Sequence, residues 1–369
     1  MKKLTCDACG SADIYSIYKL ARIPAFQNKL FPSATVAQTA PAAAVDLTAC
    51  HDCGFIFNAL FDNSLMDYDG DYQNAQDHSP SFQSYLDDIA NLIVADATSK
   101  DSIVEIGCGK GYFLETLKAR GLNVKGFDPT YEGDSPDIVK SYFNVDTAAD
   151  VDADIVIMRH TLEHIEAPYA FLQQLKKILR PECRIFIEIP RVEWIVEHKA
   201  FWDIFHEHCN YFSEFFFQKV FSGRCDIHRV FSDQYMLVGA RIGDLADEIE
   251  AGNAPDYSDL FTGEIGKYAQ IVHAADRNYI WGAGAKGIAF ANILDEAMSK
   301  VPALVDINPR KQNCFISLTG HVCVSPADID WAALQDNDCL WIMNARYKNE
   351  ILATLPALPC RVIVLGDDQ

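Results

Sequence analysis

From residue 102 onward the chain alternates short, mainly apolar runs with longer stretches in which apolar positions recur every three to four residues. Apolar runs of four to six residues with no polar alternation are the mark of strands covered on both faces, as in a parallel sheet, and the 3.6-residue period marks the helices between them. The pattern predicts strands at 102–106, 124–127, 154–158, 184–189 and 235–240, with helices at 112–119 and 171–179, the second helix stopped by Pro181 and the fourth strand by Pro190. A helix is also expected to start near Ser81, with Tyr85, Ile89, Leu92 and Ile93 on its apolar face. A polar, helix-like stretch at 245–269 leads to a second series: a strand at 278–281, a glycine turn, a helix at 288–294, and strands at 303–306, 339–343 and 362–365. Ahead of all this, residues 1–74 offer only short strands, with a Pro/Ala-rich stretch (Pro32 to Ala44) between them.

What residues 1–74 carry instead is cysteine. Cys6-Asp7-Ala8-Cys9 and Cys50-His51-Asp52-Cys53 are two C-x-x-C knuckles, each followed directly by glycine (Gly10, Gly54), which suits the tight turn a knuckle needs. Each offers two thiolates to one side of a tetrahedral ion, and two of them make a closed Zn2+ site from Cys6, Cys9, Cys50 and Cys53, structural because no position is left for a substrate. The competing reading is four buried core cysteines. So small a unit needs its metal to stay folded. The expected organisation is α/β: a zinc-binding module at 1–74, a Rossmann-like core at 75–243, and a linker helix with a second Rossmann-like unit at 244–369.

Composition narrows the class. A chain of 369 residues, 49% of them hydrophobic, has material for two or three domains, and it contains no apolar run long enough to span a membrane. The start lacks the apolar stretch of a signal peptide, which with free thiols leads us to expect a cytoplasmic protein without a membrane partner. Its formal net charge of −21 repels polyanions and speaks against nucleic acid as a partner. Oligomeric state is not written in these features.

Two glycine turns point to ligands. In the core, Glu105, Gly107, Gly109 and Gly111 form an acid-x-Gly-x-Gly-x-Gly loop at a strand-to-helix turn, and Asp128 ends the next strand, where it can accept from both hydroxyls of a ribose. A pyrophosphate-binding fingerprint spaces its glycines as G-x-G-x-x-G. The tighter spacing here resembles the first motif of class I S-adenosylmethionine methyltransferases. In the last unit, Gly282-Ala283-Gly284-Ala285-Lys286-Gly287 does match G-x-G-x-x-G, with Asp306 downstream. NAD is one reading; a substrate diphosphate at the helix N-terminus beside Lys286, with Arg310 and Lys311 near, is the other.

Histidines gather in two places. Met158-Arg159-His160-Thr161-Leu162-Glu163-His164 follows a core strand, at the carboxyl edge where open α/β sheets bind ligands. Phe205-His206-Glu207-His208-Cys209-Asn210-Tyr211-Phe212-Ser213 is a loop running into a helix that Ser213 can cap. Imidazoles beside a carboxylate suit proton transfer near neutral pH. His206 and His208 as metal ligands lack the helical H-E-x-x-H spacing, and His206 is read as structural.

Taken together, the knuckles, the acid-glycine loop, Leu162-Glu163-His164-Ile165, Glu207-His208 and the stretch Trp281 to Gly287 with Asp306 to Gln312 resemble the three-domain sugar C-methyltransferases of deoxysugar pathways over nearly the whole chain. The resemblance implies S-adenosylmethionine held by Glu105, Gly107, Gly109, Gly111, Asp128, Arg159 and His160, and a nucleotide-linked keto-deoxysugar held by Gly284, Lys286, Gly287, Arg310 and Lys311. It also implies His208 as general base, Glu207 as the group orienting it, and His164 and Tyr72 as polar partners of the ketone, in a monomeric enzyme. Methylation of carbon requires an enolate, which donors to its oxygen stabilise. One departure stands out: where members of that family carry tyrosine two residues before the catalytic glutamate, this chain has Phe205, which donates nothing. The alternative is methyl transfer to oxygen or nitrogen of a sugar or other small molecule. A binding or regulatory protein built on the same scaffolds is a third reading, separated by affinity for S-adenosylhomocysteine.

Overall fold

A computed structural model describes residues 4–66, 79–95, 97–148, 151–258, 260–294 and 300–367. The N-terminal unit contributes β1 (Ile14–Pro24), β2 (Leu30–Phe31), β3 (Ala42–Cys50) and β4 (Ile56–Asn58). β1 and β3 pair antiparallel with Ile14 opposite Cys50, and β3 pairs with β4, which brings the turns carrying the cysteines to one end. The two turns are built alike: Gly10 N–H donates to the Cys6 carbonyl (2.8 Å) and Gly54 N–H to the Cys50 carbonyl (3.0 Å), both glycines at positive φ (77° and 71°) as the sequence led us to expect.

The core sheet is built from β5 (Ser102–Ile106), β6 (Asn123–Phe127), β7 (Ile138–Val139), β8 (Ile155–Arg159) and β9 (Arg184–Pro190), all parallel. After β10 (Asn210–Tyr211), which leaves this sheet, β11 (Cys225–Val230) and β12 (Tyr235–Arg241) finish it as an antiparallel hairpin, β12 lying against β9. Strand order is β11-β12-β9-β8-β5-β6-β7. The chain therefore reverses its winding between β5 and β8, and the crevice at that switch point, above the carboxyl ends of both strands, is where such sheets bind ligands. The helix Pro80–Val94 covers one face through Tyr85, Leu86, Ile89, Ala90 and Ile93, while Leu92, expected on the apolar face, is turned to solvent.

The last unit has five parallel strands, β13 (Asn278–Trp281), β14 (Ala303–Val305), β16 (Cys323–Val324), β17 (Cys339–Ile342) and β18 (Arg361–Val364), in the order β16-β14-β13-β17-β18. Here too the order reverses beside the first strand, between β13 and β17. β15 (Phe315–Ile316) lies outside this sheet. The expected helix at 245–269 is shorter and later: residues 250–257 form no regular element, with Gly252 and Ala254 donating to the Asp52 and His51 carbonyls, and the helix is Glu264–Ala274. Gly252, Pro255 and Gly263 explain it, since three helix breakers outweigh the scattered apolar spacing.

Two pairings cross the boundaries expected from sequence. β10 adds to the N-terminal sheet beside β4, with Asn210 opposite Phe57, and β15 pairs with β2, with Phe315 opposite Phe31. The packing follows suit: Ile23, Val45 and Leu47 share a core with Trp202, Phe290 and Trp341, and Phe55 and Phe57 share another with Phe212 and Phe216. The N-terminal sheet is thereby wedged between the other two.

Candidate functional site

The glycine loop after β5 has the shape its sequence demands. Gly107, Gly109 and Gly111 all take positive φ (74°, 54° and 82°). A Cβ on Gly107 would sit 2.2 Å from Thr161 Oγ1, and one on Gly111 2.7 Å from Ile138 Cδ1, whereas nothing lies within 4 Å of a Cβ on Gly109. The loop is closed on two sides and open above Gly109. Asp128, at the end of β6, accepts from Gly109 N–H (2.8 Å) with one oxygen and from the Thr130 N–H (2.8 Å) and hydroxyl (2.7 Å) with the other. Glu105 is buried beneath, its Oε2 without a hydrogen-bond partner among the described residues, and burial pushes its carboxyl up to about 8 against the pull of Arg159. That orphaned oxygen is what a ligand's amino group would satisfy.

Arg159 and His160 are tied into the floor of the crevice by a residue the sequence reading did not single out. Glu188, fully buried on β9, accepts from Arg159 Nε (2.5 Å) and Nη2 (3.2 Å), from Tyr85 hydroxyl (2.6 Å) and from His160 Nε2 (3.1 Å). Burial alone would raise its carboxyl, but the adjacent Arg159 and His160 charges hold it well below the ordinary range. Arg159 also lies over the Phe113 ring at 4.4 Å. The signal was present in Ile185-Phe186-Ile187-Glu188-Ile189: a charge inside a buried strand has to be paired.

The two histidine segments meet. Behind β8 a 3-10 turn, Leu162–His164, sets His164 against His208, their ring centroids 4.8 Å apart and nearly perpendicular. His164 Nδ1 donates to the Glu207 carbonyl at 3.0 Å. Phe205 packs edge-on to His208 at 4.9 Å. The Tyr211 hydroxyl, one of the groups able to replace a tyrosine at 205, is occupied with the backbone of Phe205, accepting from its N–H at 2.7 Å. Burial, followed by the charges of His164, His160 and Lys286, holds His208 well below the ordinary histidine value, so it is unprotonated at neutral pH. One carboxylate oxygen of Glu207 accepts from Gln27 N–H (3.0 Å). His206 is a bolt, as expected: fully buried, it stacks on Phe61 (5.2 Å) and meets the Ala44 carbonyl through Nδ1 (3.1 Å). Tyr72 lies outside the described residues.

In the last unit, Gly287 is dictated by packing, since a Cβ there would meet the Gly282 carbonyl at 1.9 Å. Lys286 faces the core: its Nζ pairs with Asp203 (2.7 Å) and donates to Gln234 (2.9 Å), over the Trp194 ring at 4.7 Å. Lys311 is buried and spans the Ala283 carbonyl (3.0 Å) and Asp306 (3.4 Å), beside Gly284, while Arg310 is exposed. The substrate residues expected from sequence thus divide, Lys286 toward the histidine crevice and Gly284 with Lys311 toward Asn28 of the N-terminal unit.

The four cysteines converge. Cys6 and Cys53 sulfurs are 3.6 Å apart, as are those of Cys9 and Cys50, and all four lie within 4.8 Å of one another. A tetrahedron with metal–sulfur bonds of about 2.3 Å has edges of about 3.8 Å, so the set fits a zinc-sized ion.

Known proteins resemble the middle of the chain most. Residues 77–224 match a family model described as a methyltransferase domain. Curated relatives include the C-methyltransferase NovU of Streptomyces niveus, 23% identical over 222 residues covering 56% of this chain and 52% of that protein. A ubiquinone biosynthesis O-methyltransferase of Pseudomonas aeruginosa is 23% identical over 137 residues, covering 33% of this chain and 55% of the relative. The chain spans about half the length of each of these relatives. Among solved structures, an O-methyltransferase family protein from Burkholderia thailandensis (TM-score 0.34, 13% identity, 43% of this chain, 55% of that one) and CalO1, a methyltransferase in calicheamicin biosynthesis with S-adenosylhomocysteine bound (TM-score 0.31, 14% identity, 43% and 55%), are similar. The stretch 77–224 thus joins a match to a methyltransferase domain with an acid-glycine loop at the switch point of its sheet.

Proposed function

We propose that the chain transfers the methyl group of S-adenosylmethionine, seated above Gly109 between Glu105 and Asp128, to a small molecule lodged at the His164–His208 pair, and that the accepting atom is a carbon beside a ketone in a nucleotide-linked deoxysugar. The observation that carries this is the convergence of two distant segments on one unprotonated imidazole at the carboxyl edge of the same sheet that bears the glycine loop. Removing a proton from carbon needs a neutral base and a stabilised enolate oxygen, and methyl transfer then needs alignment more than further chemistry. The last unit, read as Rossmann-like, would hold the nucleotide near Gly284 and Lys311. The N-terminal thiolates would hold a structural zinc ion, with no catalytic part.

Phe205 favours a second reading, transfer to oxygen, because the ring beside His208 offers an enolate no donor. Incubation with S-adenosylmethionine and a thymidine-diphosphate 4-keto-deoxysugar in deuterium oxide separates the two. Carbon methylation predicts deuterium entering the acceptor carbon in step with His208; an O-methylated product with no exchange selects the alternative, and no affinity for S-adenosylhomocysteine ends both.

A further inference from the structure

Glu163 carries its carboxylate inside the protein: the residue is 1% exposed, and neither oxygen accepts a hydrogen bond among the described residues. An ionised carboxylate stripped of both water and donors is costly unless a cation sits against it. The cation described nearest to it is His160, its Nδ1 3.5 Å away, and that ring already gives its other nitrogen to Glu188 at 3.1 Å. On the other side, one oxygen of Glu163 and one ring nitrogen each of His164 and His208 lie within 4.8 Å of one another. Ligand atoms about 2.0–2.2 Å from a common ion lie at most about 4.4 Å apart, so a small inward turn of the rings suffices to place all three on one ion.

The local fold prepares the donors. On an α-helix His160 and His164 would share a face; the 3-10 turn Leu162–His164 instead leaves His160 to Glu188 and sends Glu163 and His164 toward His208. Donation of the His164 Nδ1–H to the Glu207 carbonyl fixes the tautomer whose lone pair is on Nε2, the arrangement common in metal-bound histidines. Glu163 is held by its turn, and the third donor arrives from the loop after β9.

We propose that Glu163, His164 and His208 form a binding site for a divalent transition-metal ion, separate from the cysteine cluster. Two imidazoles and one carboxylate leave such an ion with an open position for an outside oxygen. An ion held there occupies the one lone pair that His208 needs as a base, so on the reading above the ion-bound site and proton removal by His208 are alternative states. The ion itself requires no methyl transfer.

The test is cobalt titration of the full chain after chelation, followed by visible absorption and ion content. Cobalt on thiolates shows sulfur-to-metal charge transfer, whereas cobalt on imidazole and carboxylate shows ligand-field bands without it. The site predicts one ion per chain of the second kind, lost in Glu163→Gln and in His208→Ala while charge transfer and far-ultraviolet circular dichroism stay as in the parent. Retention of those bands by both variants, or their absence from the parent protein, overturns the proposal. Should the variants misfold, paramagnetically shifted imidazole N–H signals in the parent cobalt protein decide: their presence supports the site and their absence removes it. Cobalt bands in a protein that binds no S-adenosylhomocysteine would leave the ion site standing and sink the methyltransferase reading.

Discussion

The backbone N–H of Gln27 donates to the carboxylate of Glu207 at 3.0 Å, tying the N-terminal unit to the residue next to His208. Gln27 is fully buried, so its N–H has no water to turn to. Glu207→Gln keeps an acceptor oxygen and is expected to leave stability nearly unchanged, whereas Glu207→Ala strands the N–H and costs about 1–3 kcal/mol in urea unfolding. Equal losses in both variants would mean that the charge, not the bond, is what matters.

The same tie makes the cysteine cluster felt at a distance. Cys53→Ser, or chelation of an ion held by the four thiolates, is expected to lower the melting temperature and with it the proposed methyl transfer, because the sheet carrying the knuckles also pairs with β10 and leads into the segment of Gln27. Activity that survives complete loss of the thiolate-bound ion contradicts this coupling.

Glu105 gives a pH dependence of fixed sign. Its ordinary value of 4.5 is pushed up to about 8 in the folded chain, so between these values the folded state binds the extra proton. Stability in this group is greatest at the acid end of that window and falls as pH rises through it. Glu105→Gln should flatten the slope and raise the melting temperature at pH 8, while weakening S-adenosylmethionine binding about tenfold to hundredfold in calorimetry. A steeper slope in the variant would count against this account.

Gly107→Ala meets two penalties at once, a left-handed backbone at φ 74° and Thr161 Oγ1 at 2.2 Å. The backbone share is about 1–2 kcal/mol. Adding Thr161→Ala should recover only the steric part, so the double variant is expected to melt between the parent and Gly107→Ala.

Lys286 and Asp203 pair across the core and the last unit with little solvent on either. Asp203→Ala alone leaves a buried ammonium and is expected to cost about 3–5 kcal/mol, with much of the loss recovered in the Asp203→Ala, Lys286→Ala double variant. Strict additivity of the two single changes would show that the pair is not coupled.

Much of this architecture was legible before any coordinates. Ile155 to Met158 read as a strand because a strand covered on both faces leaves little room for polar side chains, and the cysteine turns announced themselves through Gly10 and Gly54. Partnership was not legible. β2 and β10 are two residues each and carry no period, so their pairing with β15 and β4 is written only in tertiary contact. Glu188 could be seen as a charge in apolar surroundings, but that Arg159 and His160 answer it is written only in tertiary contact, and the burial of Glu163 depends on a 3-10 turn that sequence spacing does not reveal. Lys286, expected to await a phosphate, is already engaged by Asp203, a residue with no motif around it.

The junction between β4 and β10 has a consequence for synthesis. Asn58 leaves the ribosome long before Asn210 and Tyr211 are made, so until then the N-terminal sheet presents β4 as a bare edge. Throughout translation of the methyltransferase core, that edge is open to any passing strand, and cotranslational chaperones have a defined place to shield.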